Sequence, residues 1–250
     1  MKKHIQIIHY LLITFLLSFA SMKAQTAITN ETVRFLLFGI QAASPTITAI
    51  IILAVNNELR SNLSAIFHTE HLFTAVLLPV VIAFVTMFAS KYIYCVYNEQ
   101  AFSCGHIPSK QFIIILWSFI AEELGWRGYL EPKLRTYDLH SNSVPLIIGF
   151  IWGAWHFHYF IQQSINVPLL LFFAGCIAES YIYSFMMKYT NNILSAMIYH
   201  FSCNLCLHLF LINPEDNNDS CAPYIILTTL EAILVLLLNI RQTKKSHTYT

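Results

Sequence analysis

A series of long apolar runs constrains this chain more than any other feature of its sequence. A transmembrane helix needs about 20 predominantly apolar residues, at a rise of about 1.5 Å each. Runs of this kind recur along the whole chain, near residues 5–20, 33–55, 72–97, 111–130, 144–164, 167–187, 192–212 and 223–240. The sequence therefore predicts an all-α, polytopic transmembrane bundle of about seven to eight spans.

The composition agrees with a membrane protein. Of the 250 residues, 56% are hydrophobic and 11% are charged, whereas a soluble domain carries about 25% charged residues. Lys and Arg number 14 against 13 Asp and Glu, which leaves a formal charge of +1. This balance provides no basic surface for phosphates and argues against nucleic acid as a partner. Membrane lipids are the expected surroundings.

The first apolar run permits two interpretations. Lys2 and Lys3 precede a short apolar stretch, and small and polar residues follow it at 18–25. This pattern fits a first transmembrane span as well as a secretory signal peptide. Residues 1–24 are therefore interpreted as a first span or a signal-like segment, and residues 25–250 as one further domain.

The distribution of Lys and Arg predicts the orientation of the spans. With the N-terminus inside, ten of the 14 Lys and Arg fall on the cytoplasmic side, as the positive-inside rule requires. The sequence thus predicts a multi-pass protein of the cell membrane, with both termini cytoplasmic if the first span is retained.

Three polar clusters interrupt the apolar runs. Ionisable groups at mid-bilayer cost about 2.5–3.5 kcal/mol each on insertion scales, so those that persist are candidates for a functional site. The clusters lie at residues 122–128 of the fourth run, 152–156 of the fifth and 200–204 of the seventh. Glu179 and Glu231 are further acids within runs, and we expect them to hydrogen-bond between helices.

The first cluster contains a predicted ion pair. Glu123 and Arg127 are four residues apart, the spacing at which side chains on one helix face meet. Glu122 points about 100° away around the helix, which leaves it to take and give protons. A solvated helix end is the alternative, but apolar and aromatic residues continue the run beyond the two glutamates, including Trp126, Tyr129 and Leu130.

The three clusters are predicted to meet at one depth. Counted from the cytoplasmic ends of their runs, Glu122 and His200 lie roughly 12 Å deep, and His156 and Asn204 roughly 18 Å deep. Three helices would then offer a carboxylate, two imidazoles and an amide in one layer of the membrane. His200 and Asn204 are four residues apart and share one helix face.

Two chemistries use these residues. A carboxylate and an imidazole that meet in a helix bundle closed to bulk water can deprotonate a single water molecule and pass the proton to a leaving amine. That reaction is peptide hydrolysis. His200 and Asn204 can donate hydrogen bonds to the oxyanion that forms on the scissile carbonyl. Alternatively, Glu122, His156 and His200 could hold a zinc ion whose bound water attacks. The residues leave both chemistries open.

The same residues resemble the three motifs of the CPBP family of intramembrane proteases, also called the CAAX protease and bacteriocin-processing family or Abi family. E-E-x-x-x-R begins at Glu122, a tryptophan-rich segment ends at His156, and His200 with Asn204 forms H-x-x-x-N. The resemblance covers residues 111–212, and residues 44–46 show a weaker resemblance. Residues 25–250 would then be the protease domain.

The resemblance implies a role for each residue. Glu122 would be the general base, acting with His156 on a water molecule, and His200 with Asn204 would form the oxyanion site. Glu123 and Arg127 would support them. The second family motif is usually F-x-x-x-H, and Trp152 stands in place of the Phe here. We interpret Trp152 as a packing variant.

The resemblance also implies an enzyme and its substrates. The expected activity is that of an intramembrane endopeptidase on a membrane-delivered or lipidated peptide or protein, either of the CAAX type or in bacteriocin and leader processing. The alternative is a non-catalytic self-immunity protein or membrane partner that uses the same polar cavity for binding. A small proton-coupled transporter is a third hypothesis, weakened by the lack of an inverted repeat.

Overall fold

The described chain is helical, in agreement with the prediction. The computed structural model describes residues 3–68, 70–137 and 142–247, with side chains in the last helix as far as residue 239. Residues 1–2 of the predicted first segment and residues 248–250 lie outside this part of the chain. The helices are α1 (Lys3–Ala27), α2 (Glu31–Ala42), α3 (Ser44–Val55), α4 (Leu59–Ile66), α5 (Leu72–Tyr97), α6 (Ser109–Ala121), α7 (Glu123–Gly125), α8 (Glu131–Arg135), α9 (Ser143–Trp155), α10 (Phe157–Ile161), α11 (Leu169–Thr190), α12 (Ile193–Leu209) and α13 (Ala222–His247).

The predicted polytopic bundle is confirmed. Within the described ranges, six helical segments are long and apolar enough to cross a membrane. The run 33–55 would make a seventh, but it consists of α2 and α3, which are bent by 64° relative to each other. Pro45 stands in the first turn of α3, where it cannot continue a preceding helix.

The run 111–130 is not one continuous helix. Helix α6 ends at Ala121, and Glu122 has φ −117° and ψ −41° between α6 and α7. A π-helical turn, Trp126–Leu130, then connects α7 to α8. Single π-helical turns are frequent at functional sites, because they turn side chains away from the regular helical positions. Hydropathy alone does not reveal such breaks, since the segment is apolar on both sides of them.

The start of α3 supports the broken segment. The Thr46 hydroxyl donates to the Ile120 carbonyl at 3.1 Å, in the last turn of α6, where carbonyls lack intrahelical partners. Gly125 lies directly against Pro45, and a Cβ there would overlap the Pro45 backbone. The Trp155 indole N–H donates to the Ser44 hydroxyl at 3.1 Å. The segment 44–46, which resembles the family only weakly in sequence, therefore supports the broken helix structurally.

Helix α1 packs into the same region. Tyr10 is fully buried, with its ring centroid 5.8 Å from that of Trp126 and 4.9 Å from that of Tyr129. One face of α1 carries further buried polar side chains, namely Gln6, Thr14, Ser18 and Ser21. The segment predicted as a span or signal is thus integrated into the bundle through α2 and α3.

Helix α12 brings the third cluster to the centre of the bundle. It starts at Asn192, whose side-chain oxygen caps the helix by accepting from the Leu194 backbone N–H at 3.0 Å. It packs against α5, α6, α7 and α11, while α9 packs against α11. The segments that contain the three polar clusters therefore meet around one buried volume.

Candidate active site

Two of the predicted site residues lie where helices are interrupted. Glu122 is the residue between α6 and α7, and His156 is the residue between α9 and α10. His200 and Asn204 lie within the regular helix α12. Glu122 and His200 are each 6% exposed, and Glu123 and Arg127 are fully buried. The charged cluster is therefore shielded on nearly all sides.

The predicted ion pair between Glu123 and Arg127 is confirmed. Arg127 Nη1 lies 3.1 Å from each oxygen of the Glu123 carboxylate. Arg127 Nη2 donates to the Ser180 hydroxyl at 3.2 Å. The guanidinium also lies over two aromatic rings, with its carbon 3.8 Å from the Tyr183 centroid and 4.7 Å from the Trp152 centroid. These contacts fix the guanidinium and stabilise its charge in the absence of bulk water.

His200 lies between the two carboxylates of the first cluster. Its Nδ1 is 2.8 Å from Glu123 Oε1, and because an ionised carboxylate only accepts, Nδ1 donates. Its Nε2 is 3.9 Å from Glu122 Oε1, which is beyond hydrogen-bond distance. For Nε2 to donate a hydrogen bond while Nδ1 donates to Glu123, the imidazole must carry a proton on both nitrogens. Its positive charge would then be balanced by the carboxylates of Glu122 and Glu123.

Glu122 has a partner that the sequence did not predict. Its Oε2 accepts a hydrogen bond of 2.6 Å from the indole N–H of Trp152, and both side chains are buried. The interpretation of Trp152 as a packing variant is therefore incomplete. Glu122 is correctly predicted to be outside the Glu123–Arg127 pair, but it is not without a hydrogen bond.

His156 joins the site through Trp152. Its Nδ1 donates to the Trp152 carbonyl at 2.8 Å, because a carbonyl can only accept. The imidazole packs edge-on against Trp152 and Phe172, with centroid distances of 5.3 Å and 5.1 Å. His156 is partly exposed, and its Nε2 has no hydrogen-bond partner among the described residues. That nitrogen is the one left to act on a substrate or a water molecule.

Asn204 lies one turn beyond His200 on α12, as predicted. Its side chain is partly exposed and makes no hydrogen bond within the described ranges. The Asn204 amide is therefore free to donate a hydrogen bond to another group. Among the described residues, no hydrogen bond connects Asn204 to the Glu122–His200 cluster.

The zinc alternative does not fit this arrangement. Across residues 3–68, 70–137 and 142–247, no three His, Cys, Asp or Glu side chains form a group that could hold a metal ion. The set Glu122, His156 and His200 is therefore not drawn together into a ligand group among the described residues.

Sequence reasoning missed the contributions of helix α11. Ser180 binds Arg127, and the Tyr183 ring lies under the guanidinium. Ser184 lies one turn further on and donates to Glu131 Oε1 at 2.6 Å. Small polar and aromatic residues are common in membrane helices, so nothing in the sequence singled these out. Only the packing of α11 against the first cluster identifies them.

Part of the chain is similar to known proteins. Residues 109–206 match the family model described as type II CAAX prenyl endopeptidase Rce1-like. The matched segment contains every predicted site residue, from Glu122 to Asn204. The chain is also similar to CAAX prenyl protease 2 of Methanococcus maripaludis, with 30% identity over 133 aligned positions.

That similarity is partial in extent. It covers 47% of this chain and 48% of the archaeal protein, so the chain spans about half the length of the curated relative it matches. Within that extent, the comparisons confirm the resemblance suggested by the three motifs.

Proposed function

We propose that this chain is an intramembrane endopeptidase, because residues 109–206 match the family model described as type II CAAX prenyl endopeptidase Rce1-like. It would hydrolyse a peptide bond near the C-terminus of a lipidated CAAX-type peptide or protein that reaches the site from the membrane. The observation that supports this most is the convergence of Glu122, His200 and the Trp152–His156 segment from three parts of the chain. Bacteriocin or leader processing remains a prediction for the same site.

In the proposed reaction, Glu122 and His156 activate the water molecule. The water gives a proton to Glu122 as its oxygen attacks the scissile carbonyl carbon, and His156 Nε2 orients it. The bond to nitrogen then breaks, and the proton held by Glu122 passes to the leaving amine. The second proton of the water stays on the new carboxylic acid until it passes to the released amine, so the final products are a carboxylate and an ammonium group, and atoms and charge balance.

His200 and Asn204 are proposed to stabilise the oxyanion. The charge on the carbonyl oxygen develops only as the water attacks, so donors placed for it lower the barrier selectively. The doubly protonated His200 ring can donate from Nε2 while Nδ1 remains bound to Glu123. The uncommitted amide of Asn204 is the second donor on the same helix face.

Glu123 and Arg127 are proposed to support these groups without touching the substrate. Glu123 accepts from His200 and is held in turn by Arg127, and both are fully buried. With Glu122 and His200 charged, the four groups carry two negative and two positive charges. A buried cluster of zero net charge is far less costly than an isolated ion in the membrane.

The test is cleavage of a fluorogenic farnesylated peptide ending in a CAAX sequence by the purified full-length chain in nanodiscs. We expect cleavage by the unmodified chain and a loss of at least about a hundredfold for Glu122→Gln, His156→Ala and His200→Ala. Glu231→Gln is the matched control, since Glu231 is also a buried carboxylate, 1% exposed, but lies on α13 outside the cluster.

The control variant and a check of folding together separate a loss of catalysis from a loss of folding. Each variant should elute as the unmodified chain does in size-exclusion chromatography. Full activity in all three site variants would refute the proposed mechanism. A folded chain that cleaves neither lipidated nor leader-type peptides, yet binds them, would instead favour the non-catalytic alternative.

A further inference from the structure

Trp152 makes contacts with three members of the site at once. Its indole N–H donates to Glu122 Oε2, its ring face receives the Arg127 guanidinium, and its carbonyl accepts from His156 Nδ1. One residue, through its side chain and its own backbone, therefore connects the first polar cluster to His156.

We propose that Trp152 is a positioning residue that selects which atoms of Glu122 and His156 react. The inference rests on the proposed function of these two residues. Because the indole N–H occupies Glu122 Oε2, Oε1 is the oxygen left to take the proton from water. Because the Trp152 carbonyl occupies His156 Nδ1–H, Nε2 is the nitrogen that faces the reaction without a proton.

The indole cannot easily turn away from Glu122. Edge-to-face contacts surround the Trp152 ring, with centroids 5.8 Å from Tyr183, 5.9 Å from His200 and 5.3 Å from His156. The guanidinium of Arg127 covers one face. A ring held on several sides keeps its N–H in one direction, which is the condition for orienting a carboxylate before the reaction begins.

The hydrogen bond to Glu122 depends on the indole nitrogen. Phe, the residue in the family motif, would keep an aromatic ring for Arg127 and the neighbouring rings but has no N–H to donate. The carbonyl contact to His156 would survive any substitution, since it belongs to the backbone. A Trp152→Phe change therefore removes the Glu122 contact alone and leaves the His156 tautomer fixed.

The first experiment compares Trp152→Phe with the unmodified chain in the farnesylated-peptide assay. Hydrogen bonds to charged groups contribute about 1.5–3 kcal/mol, so we expect kcat to fall about tenfold or more with KM unchanged. Trp117→Phe is the matched control. It also removes an indole hydrogen bond, from Trp117 to the Gly39 carbonyl at 3.0 Å, but outside the site, and kcat should stay unchanged.

A second substitution guards against repacking around the smaller Phe ring. Incorporation of 3-benzothienylalanine at position 152 keeps the bicyclic shape and replaces the N–H by sulfur. We expect the same fall in kcat, and tryptophan supplied through the same incorporation system should restore it. A kcat equal to that of the unmodified chain for either substitution overturns the inference.

A spectroscopic measurement tests the contact without activity. The chain has 4 Trp, so the indole N–H signals in a ¹H–¹⁵N spectrum are few, and Trp152→Phe assigns one of them. That signal should move when Glu122 is changed to Gln, while the Trp117 signal stays in place. An unmoved signal overturns the inference, and an unmodified chain that cleaves no peptide overturns the proposed function instead.

Discussion

Removal of the Arg127 guanidinium should reveal how strongly the buried cluster depends on charge balance. Arg127→Met keeps an apolar chain of similar length but deletes the ion pair to Glu123, the bond to Ser180 and the contacts with two aromatic rings. Breaking one partner of a buried pair costs about 3–5 kcal/mol. His200 still donates to Glu123, so we expect the lower end, about 3 kcal/mol of unfolding free energy.

The double variant Glu123→Gln/Arg127→Met separates charge from packing. If most of the cost comes from leaving Glu123 buried and unpaired, neutralising it should recover at least about 1 kcal/mol relative to Arg127→Met. Steric trapping in detergent measures these free energies for the full chain. If the losses of unfolding free energy for Glu123→Gln alone and Arg127→Met alone simply add in the double variant, the reasoning is refuted.

Arg135→Met is the matched control for this cycle. Arg135 also pairs with an acid four residues away, Glu131, at 2.6 Å, but its side chain is 40% exposed. The Glu131 side chain is 5% exposed, so water screens this pair only through Arg135, and the pair should contribute less than the fully buried one. We therefore expect Arg135→Met to cost much less than Arg127→Met. A cost for Arg127→Met below about 1 kcal/mol would show that the cluster is solvated.

Three further predictions concern the scaffold and the chemistry. Tyr10→Ala should lower the unfolding free energy by about 3–5 kcal/mol, because it leaves a cavity beside the π-helical turn; a neutral effect would argue that α1 is dispensable. Gly125→Ala should cost about 1–3 kcal/mol and reduce cleavage, because the new Cβ overlaps Pro45, whereas unchanged melting would contradict the close α3–α7 contact. Cleavage should persist in protein stripped of metal by a chelator, and loss of activity restored by zinc alone would revive the zinc alternative.

The sequence predicts the local pairs of this site well. Glu123 and Arg127 are four residues apart, and their contact depends only on helical geometry that α7 and the following turn largely retain. The boundaries of α5 match the predicted run 72–97 because that segment is almost wholly apolar, with Lys91 as its one charged residue, and lies between polar loops. The Glu123–Arg127 contact and the two ends of α5 each depend on residues that are close together in the sequence.

The breaks and the long-range contacts could not be predicted in the same way. Hydropathy sums apolar content over a window, so it joined α2 with α3 and α6 with α7 across interruptions of the backbone. The hydrogen bond from Trp152 to Glu122 joins residues 30 positions apart, and it exists because α9 packs beside the broken segment. Depth along separate helices indicated that these groups could meet, but not which atoms would touch.

The mass of the product formed from a farnesylated CAAX peptide is the most direct measurement of the central claim. In ¹⁸O-labelled water, the unmodified chain should release a lipidated product whose new carboxylate carries one labelled oxygen, while Glu122→Gln releases at least about a hundredfold less of it and Glu231→Gln as much as the unmodified chain. A folded, unmodified chain that releases no labelled product from lipidated or leader-type peptides, or a Glu122→Gln variant that releases it at the full rate, would contradict the proposed intramembrane hydrolysis.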